Sequence, residues 1–280
     1  MAGQSSYHGQ PMGGEIVRSL SNPLVKRLVR LRERRERERE GVLVVEGAQE
    51  LERAVSAGHE LALLVSCPAV YSPAARVLEE QLQPVAHERR LFAPAAFHKV
   101  SLRERPDGLL GLVRLADTSL EALPWAADGL YLVIAGLEKP GNVGALLRSA
   151  DAVGAQAVFV TGAGTDLGNP NVVRASMGSL FTRPVLQVEG ERLREALRRQ
   201  GVRLVATSPA ADRDYWSTSL LGRVAIVVGA EHEGLDEHWL SAADEVVTIP
   251  MRGSADSLNV ATAGALVLFE ALRQRSAQAL

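Results

Sequence analysis

Leu24, Leu28 and Leu31 recur at helical spacing with Val25 and Val29 beside them, which puts an apolar stripe on one helix face. Ser21-Asn22-Pro23 supplies a start, because Ser or Asn caps a helix and proline suits its first turn. The charged run from Lys26 to Glu40 is expected to continue that helix. Beyond Val42 the pattern alternates. Val42–Val45, Leu61–Ser66 and Leu109–Arg114 predict strands, and Gly47–Ala57, Pro73–Leu82 and Pro94–Val100 predict helices. Together these make a small α/β unit ending near Leu115. Residues 1–14, polar and glycine-rich, read as a disordered tail. Residues 116–128, polar at their start and carrying Pro124, read as a linker.

The second half is a cleaner series. Tyr131–Ala135, Ala157–Val160, Pro184–Val188, Arg203–Ala206, Val224–Val228 and Val246–Ile249 are apolar runs with helical stretches between most of them. A long helix from about Leu258 to Arg273 closes the chain. Continuous apolar strands alternating with helices imply a parallel sheet covered on both faces. In such sheets ligands bind at the carboxyl ends of the strands, so the residues just after each strand carry the chemistry.

Composition narrows the classes. The net charge of −2 over 280 residues does not advertise a nucleic-acid binder, so any RNA footprint must be local. The single cysteine, Cys67, excludes an intramolecular disulfide framework and fits a reducing, cytoplasmic setting. Six scattered histidines, with His232 and His238 six apart, offer no metal-ligand spacing, so no metal is expected. The first residues lack the apolar core of a signal peptide, and the longest apolar stretch, Val260–Phe269, is too short for a bilayer. No membrane association is expected.

Three segments following predicted strands are informative. Pro140-Gly141 turn the chain, Asn142 is placed to cap the next helix, and Arg148 projects from that helix less than two turns in. Its guanidinium fork suits a phosphate, although a cap and a surface arginine would explain the same residues. After Val224–Val228 come Gly229, Ala230 and Glu231, where glycine lets backbone approach a ligand closely; an ordinary strand end with a solvated carboxylate is the bland alternative. After Val246–Ile249 come Met251, Ser257, Leu258 and Asn259. Ser257 is a natural N-cap, and Asn259 in a first helical turn is an odd choice for a pure helix former. Capping alone would be the bland account.

Each segment is weak alone; their order and residue types together are specific. Asn142-Val-Gly-Ala-Leu-Leu-Arg148, Gly229-Ala-Glu231-His-Glu-Gly234-Leu, Ile249-Pro-Met with Ser257-Leu-Asn259-Val, and Asn171-Val-Val-Arg174-Ala-Ser176-Met-Gly178-Ser resemble the motifs of the SpoU family, also called TrmH, of RNA ribose methyltransferases. Asn22-Pro-Leu-Val-Lys26, Val44-Val-Glu46-Gly47 and Asp107-Gly-Leu-Leu-Gly111 resemble that family's ribosomal-protein-like substrate-binding domain. The set is similar to antibiotic-resistance members acting on large-subunit ribosomal RNA.

The resemblance implies an N-terminal RNA-binding domain over 15–115 and a methyltransferase domain over 129–280. It also implies a C-terminal trefoil knot, which ordinary topology rules would predict against. It implies S-adenosylmethionine as cofactor, held mostly by backbone around Gly229, Ala230, Ile249, Met251 and Leu258. A homodimer with the active site near its interface and ribosomal RNA as partner follow in the same way. The expected reaction is 2′-O-ribose methylation, on a uridine of 23S rRNA in an antibiotic-resistance role or on tRNA or rRNA in a housekeeping one. The implied catalytic set is Arg148 with Asn142, Glu231, Ser257 and Asn259. Arginine stays protonated, so Arg148 is expected to grip the target phosphate and to assist deprotonation only through it.

Lys26, Arg27, Arg30, Arg34 and Arg174 are the candidate RNA-binding residues. Glu33 and Arg37 stand four apart among them, so a salt-bridged, solvated helix is the competing account. Aromatics are only 4% of residues, which favours recognition of RNA shape over base stacking. A dinucleotide oxidoreductase is disfavoured, because in Gly162-Ala-Gly164-Thr-Asp-Leu-Gly168 the third glycine falls one residue late and no helix starts there. A non-catalytic RNA-binding module is the other rival; the intact polar set argues against it.

Overall fold

The computed structural model describes residues 15–116, 118–162, 164, 166–230 and 233–278; the tail expected at 1–14 lies outside them. Helix α1 (Pro23–Arg30) begins where Asn22 Oδ1 accepts the Leu24 N–H at 2.8 Å, and it buries Val25 and Leu28. The single helix expected from Lys26 to Glu40 is instead two, α1 and α2 (Arg34–Glu40). Leu31 turns into the core, and Arg37 folds back to donate to the Leu31 carbonyl at 2.9 Å and the Arg32 carbonyl at 2.5 Å. Those are carbonyls the end of a helix leaves free. The expected Glu33–Arg37 pair therefore does not form: Arg37 is buried and its ion partner is Asp166.

The chain continues through β1 (Leu43–Glu46), α3 (Ala48–Ser56), β2 (Glu60–Ser66), α4 (Pro73–Leu82), β3 (Glu88–Leu91), α5 (Pro94–Val100) and β4 (Leu109–Arg114). The four strands form one sheet in the order β1-β4-β2-β3. Strand β3, Glu-Arg-Arg-Leu, escapes the sequence pattern. It lies at the sheet edge, where backbone pairing with β2 holds a strand with little apolar side chain to bury.

The second sheet collects β5 (Leu130–Ala135), β6 (Ala157–Thr161), β7 (Val185–Gln187), β8 (Arg203–Thr207), β9 (Arg213–Asp214), β10 (Val224–Val228) and β11 (Glu245–Thr248). Its order is β7-β6-β5-β10-β8-β11-β9, and every pairing is parallel. The covering helices are α6 (Pro140–Ala152), α7 (Pro170–Ser176), α8 (Ser179–Thr182), α9 (Gly190–Arg199), α10 (Glu237–Ala242) and α11 (Val260–Gln278). Strands β5 and β10 are buried at every residue, which is why they read as continuous apolar runs. The two-residue β9 is too short to leave a pattern. Among the described residues, no helix is long and apolar enough to cross a membrane.

The two sheets share a core. One apolar cluster runs from Leu51 and Leu64 through Val172 and Phe181 to Leu146 and Val228. Burying a leucine side chain completely contributes about 1.5–3 kcal/mol, so this seam is a packed interface and not a hinge. Polar ties reinforce it. Arg37 reaches Asp166, and Arg53 donates to the Met177 carbonyl at 2.6 Å. His59 accepts the Ala116 N–H at Nδ1 (3.0 Å), which leaves its Nε2–H to donate to the Phe181 carbonyl at 3.2 Å.

Candidate active site

Strands β5 and β10 are neighbours in register, Ile134 beside Val228, and β11 lies one strand further, beyond β8. All run the same way, so the segments that follow them leave one edge of the sheet. Adjacent strands are about 4.8 Å apart, which sets the segment after β10 directly beside the one after β5. The connection from β5 goes to β6 on one side, while β10 leads through β11 to the other side. In parallel sheets such a divergence, at the carboxyl ends of the strands, is where ligands bind.

Helix α6 starts at Pro140, with Lys139 as its cap residue. Asn142 is thus inside the first turn and does not cap it. Its side-chain oxygen accepts from Asn259 Nδ2 at 3.1 Å instead. Asn259, and not Ser257, caps α11: its Oδ1 accepts the N–H of Ala261 at 3.0 Å and of Thr262 at 3.4 Å. This fixes the amide orientation. With oxygen committed to the helix start, the NH2 group points at Asn142, and the Asn142 NH2 is left as a donor. Ser257 lies exposed two residues before the cap. Two residues 117 positions apart in the chain therefore join the first and third segments across the sheet.

Arg148 is exposed on α6, eight residues beyond Pro140 and so slightly over two turns in. Six residues separate it from Asn142, a rotation of about 240° at 3.6 residues per turn. Its side chain therefore leaves from a different face of the helix than the asparagine pair. Glu231 lies outside the described residues.

Gly229 ends β10 buried, and Ala230 and Gly234 exchange two backbone hydrogen bonds of 3.0 Å in a tight hairpin just beyond it. A Cβ on Gly229 would sit on the Gly234 carbonyl, with Leu235 N 2.5 Å away. Ile249 and Met251 are half-buried and Leu258 is exposed. Gly229 follows β10 and Ile249 follows β11 in the same parallel sheet, so both segments leave the same edge of it. A cleft of about 690 Å³ opens elsewhere, between His59, the segment around Leu120, and Phe181–Glu189; none of the motif residues line it.

Two glycines, Gly144 and Gly264, set the packing of the helices. A Cβ on Gly144 would strike the Ala175 side chain and stand 2.7 Å from Ser176 N, so glycine lets α7 lie directly on α6. Gly264 does the same for α11, where a Cβ would meet Leu146 Cδ2 at 2.5 Å. Their sequence signal is only a glycine inside an apolar helix pattern. Among the candidate RNA-binding residues, Lys26, Arg30 and Arg174 are exposed, whereas Arg27 is bound to Glu40 at 2.7 Å and Arg34 to Glu38 at 2.7 Å. Among the described residues, no group of His, Cys, Asp or Glu is arranged to hold a metal ion.

The family model described as SpoU rRNA Methylase matches residues 129–269, and one described as MRM3-like substrate binding domain matches residues 22–111. The chain is 34% identical over 250 residues, 86% of each chain, to a 23S rRNA (uridine(2479)-2'-O)-methyltransferase of Streptomyces viridochromogenes. A crystal structure of an RNA 2'-O ribose methyltransferase is 43% identical at a TM-score of 0.83, covering 94% of this chain and 100% of that one. The SpoU methyltransferase AviRb from Streptomyces viridochromogenes, solved with the cofactor AdoMet, is 32% identical at a TM-score of 0.82, covering 91% of this chain and 98% of that one.

Proposed function

This chain belongs to the SpoU rRNA methylase family, and from that premise we propose that it transfers a methyl group from S-adenosylmethionine to a ribose 2′-hydroxyl of 23S rRNA. The observation that carries the reading is the Asn142–Asn259 bond, which closes the first and third motif segments over the carboxyl edge of β5 and β10. The residues fit the cofactor. Backbone around Gly229 and Ala230, with Ile249, Met251 and Leu258, would hold it, and when bound it supplies the electrophilic methyl.

The protein's own part is positioning. Arg148 grips the phosphate next to the target ribose, and the Asn142 NH2 orients the sugar. Asn259 holds Asn142 in place, and Ser257 and Glu231 belong to the same polar set. Lys26, Arg30 and Arg174 hold RNA phosphates, with Arg27 and Arg34 contributing less because a glutamate already occupies each. A uridine target, supported by the name of the Streptomyces relative, and an antibiotic-resistance role, which the family resemblance suggests, are the finer reading; housekeeping tRNA or rRNA methylation is its alternative. The division into 15–115, a linker at 116–128 and 129–280 belongs to the same proposal, as do a cytoplasmic location and independence of metal.

Incubating the protein with labelled S-adenosylmethionine and protein-free 23S rRNA tests the reaction. The expected product carries one alkali-resistant linkage, because a methylated 2′-oxygen no longer attacks its phosphate. Methyl incorporation that leaves every linkage alkali-labile would refute ribose methylation. No incorporation at all would favour a non-catalytic RNA-binding module.

The proposal includes a homodimer. Leu266 and Phe269, 38% and 49% exposed, form an uncovered apolar pair three residues apart on α11. Arg148 leaves α6, the helix that packs on α11, and is likewise exposed. The double variant Leu266→Asp/Phe269→Asp is expected to sediment at half the wild-type mass and to lose turnover. A wild type that sediments as a monomer, or a variant that stays dimeric, removes this interface.

A further inference from the structure

The charged N-terminal run divides into two helices of different electrostatic character. On α2, Arg34 is paired with Glu38, Arg39 with Glu36, and Arg37 with Asp166, whereas Arg35 is exposed with no acidic partner among the described residues. On α1, Lys26 and Arg30 are exposed, one turn apart, and have no acidic partner among the described residues. The last turn of α1 adjoins the last turn of α5, because Arg32 donates to the Lys99 carbonyl at 2.9 Å and the Ser101 carbonyl at 3.0 Å. Lys99 is exposed there and also unpaired among the described residues.

From Ser101 the surface leads to the domain seam. Leu102 and Arg103 line a small cleft together with Asn171 and Arg174 of α7. Arg174 is exposed and has no acidic partner among the described residues. Arg103 is already held by Glu50 at 2.5 Å, so it shapes the cleft more than it charges it. Glu46 also lines the cleft, but its oxygens accept from Ser101 Oγ and Leu102 N, both at 2.6 Å, and its side chain is buried. One turn past Asn171, the Ala175–Ser176 backbone lies against Gly144 of α6, between Asn142 and Arg148 in the chain. Exposed cations therefore stand on α1, at the end of α5 and at the seam, where α7 packs on the helix that carries the reaction.

We infer that the RNA backbone follows this route, its phosphates held by Lys26 and Arg30 of α1, Lys99 of α5, and Arg174 with Asn171 at the seam, while the ion-paired arginines of α2 contribute little. The inference rests on the RNA-methylating reading above and adds the surface by which the substrate is held. Phosphate binding by these side chains is a charge interaction, so each cation removed lowers affinity and also flattens its dependence on salt.

The test uses the full-length protein and protein-free 23S rRNA, with affinity measured by filter binding over a range of salt concentrations. Three variants are compared: Lys26→Gln/Arg30→Gln, Arg174→Gln, and the charge-neutral control Glu36→Gln/Arg39→Gln on α2. The first two are expected to bind about tenfold more weakly, with the log–log salt slope reduced by about 0.7 for each single-strand phosphate left without its cation. The control is expected to match wild type in both quantities. S-adenosylmethionine affinity, read by calorimetry, should be the same in all of them and reports that they are folded. Wild-type salt slopes in the α1 and α7 variants, or equal weakening in the α2 control, overturn the route. If wild type methylates 23S rRNA while those variants bind normally, the route alone falls. If wild type neither binds nor methylates RNA, the functional reading falls and takes the route with it.

Discussion

Replacing Arg148 by alanine is expected to lower methyl transfer to 23S rRNA by roughly 10²–10⁴-fold, the range seen when a group that positions or activates a nucleophile is removed. The side chain is exposed on α6 and has no acidic partner among the described residues, so its removal leaves no buried charge unpaired and the fold should survive. S-adenosylmethionine affinity should stay near wild type, because the cofactor is assigned to backbone beyond β10 and β11. Arg148→Lys separates fork from charge. A single ammonium replaces two parallel donors, so it should recover only a small part of the activity if a phosphate is gripped bidentately. Single-turnover rates and calorimetry on the same preparations decide the matter. Wild-type turnover in Arg148→Ala would remove this residue from the mechanism.

Gly229→Val is expected to abolish cofactor binding. The obstacle is backbone: a Cβ here meets the Gly234 carbonyl and Leu235 N, atoms that cannot swing aside as a side chain would. Accommodating valine means opening the Ala230–Gly234 hairpin with its two 3.0 Å hydrogen bonds. Overpacking and the broken hydrogen bonds together cost about 3 kcal/mol or more, over a hundredfold in Kd. Gly229→Ala should show the same defect with a smaller effect, since the first carbon already collides. Gly229 follows a strand of the other sheet from the one formed by β1 to β4, so binding to 23S rRNA should persist, which distinguishes a lost cofactor site from general unfolding. Unchanged S-adenosylmethionine affinity by calorimetry would place the cofactor elsewhere.

Strands β5, β6 and β10 of the large sheet were legible because every residue in them is buried. A run such as Leu130–Ala135, short, continuous and apolar, reads as a strand buried on both faces. β3 and β9 were not, since one is a polar edge strand and the other has two residues. The helical caps were half legible. Asn22 caps α1 as its sequence suggests, but at Ser257-Leu-Asn259 two residues offer equivalent caps, and the choice depends on where α11 meets α6. The same holds at Asn142, whose capping chemistry is spent on a partner 117 residues away.

By itself the chain's sequence settled the chemical inventory and the parallel architecture, because strand burial, glycine turns and the identity of polar residues after each strand are local properties. Tertiary structure alone decided which of those residues meet. It joined Asn142 to Asn259 and sent Arg37 across the seam between the sheets to Asp166, silencing part of a charged run that looked uniformly available. The physical reason is range. Helix caps and apolar spacing act over a few residues, whereas hydrogen bonds and ion pairs between distant segments exist only once the strand order has brought the chain back on itself.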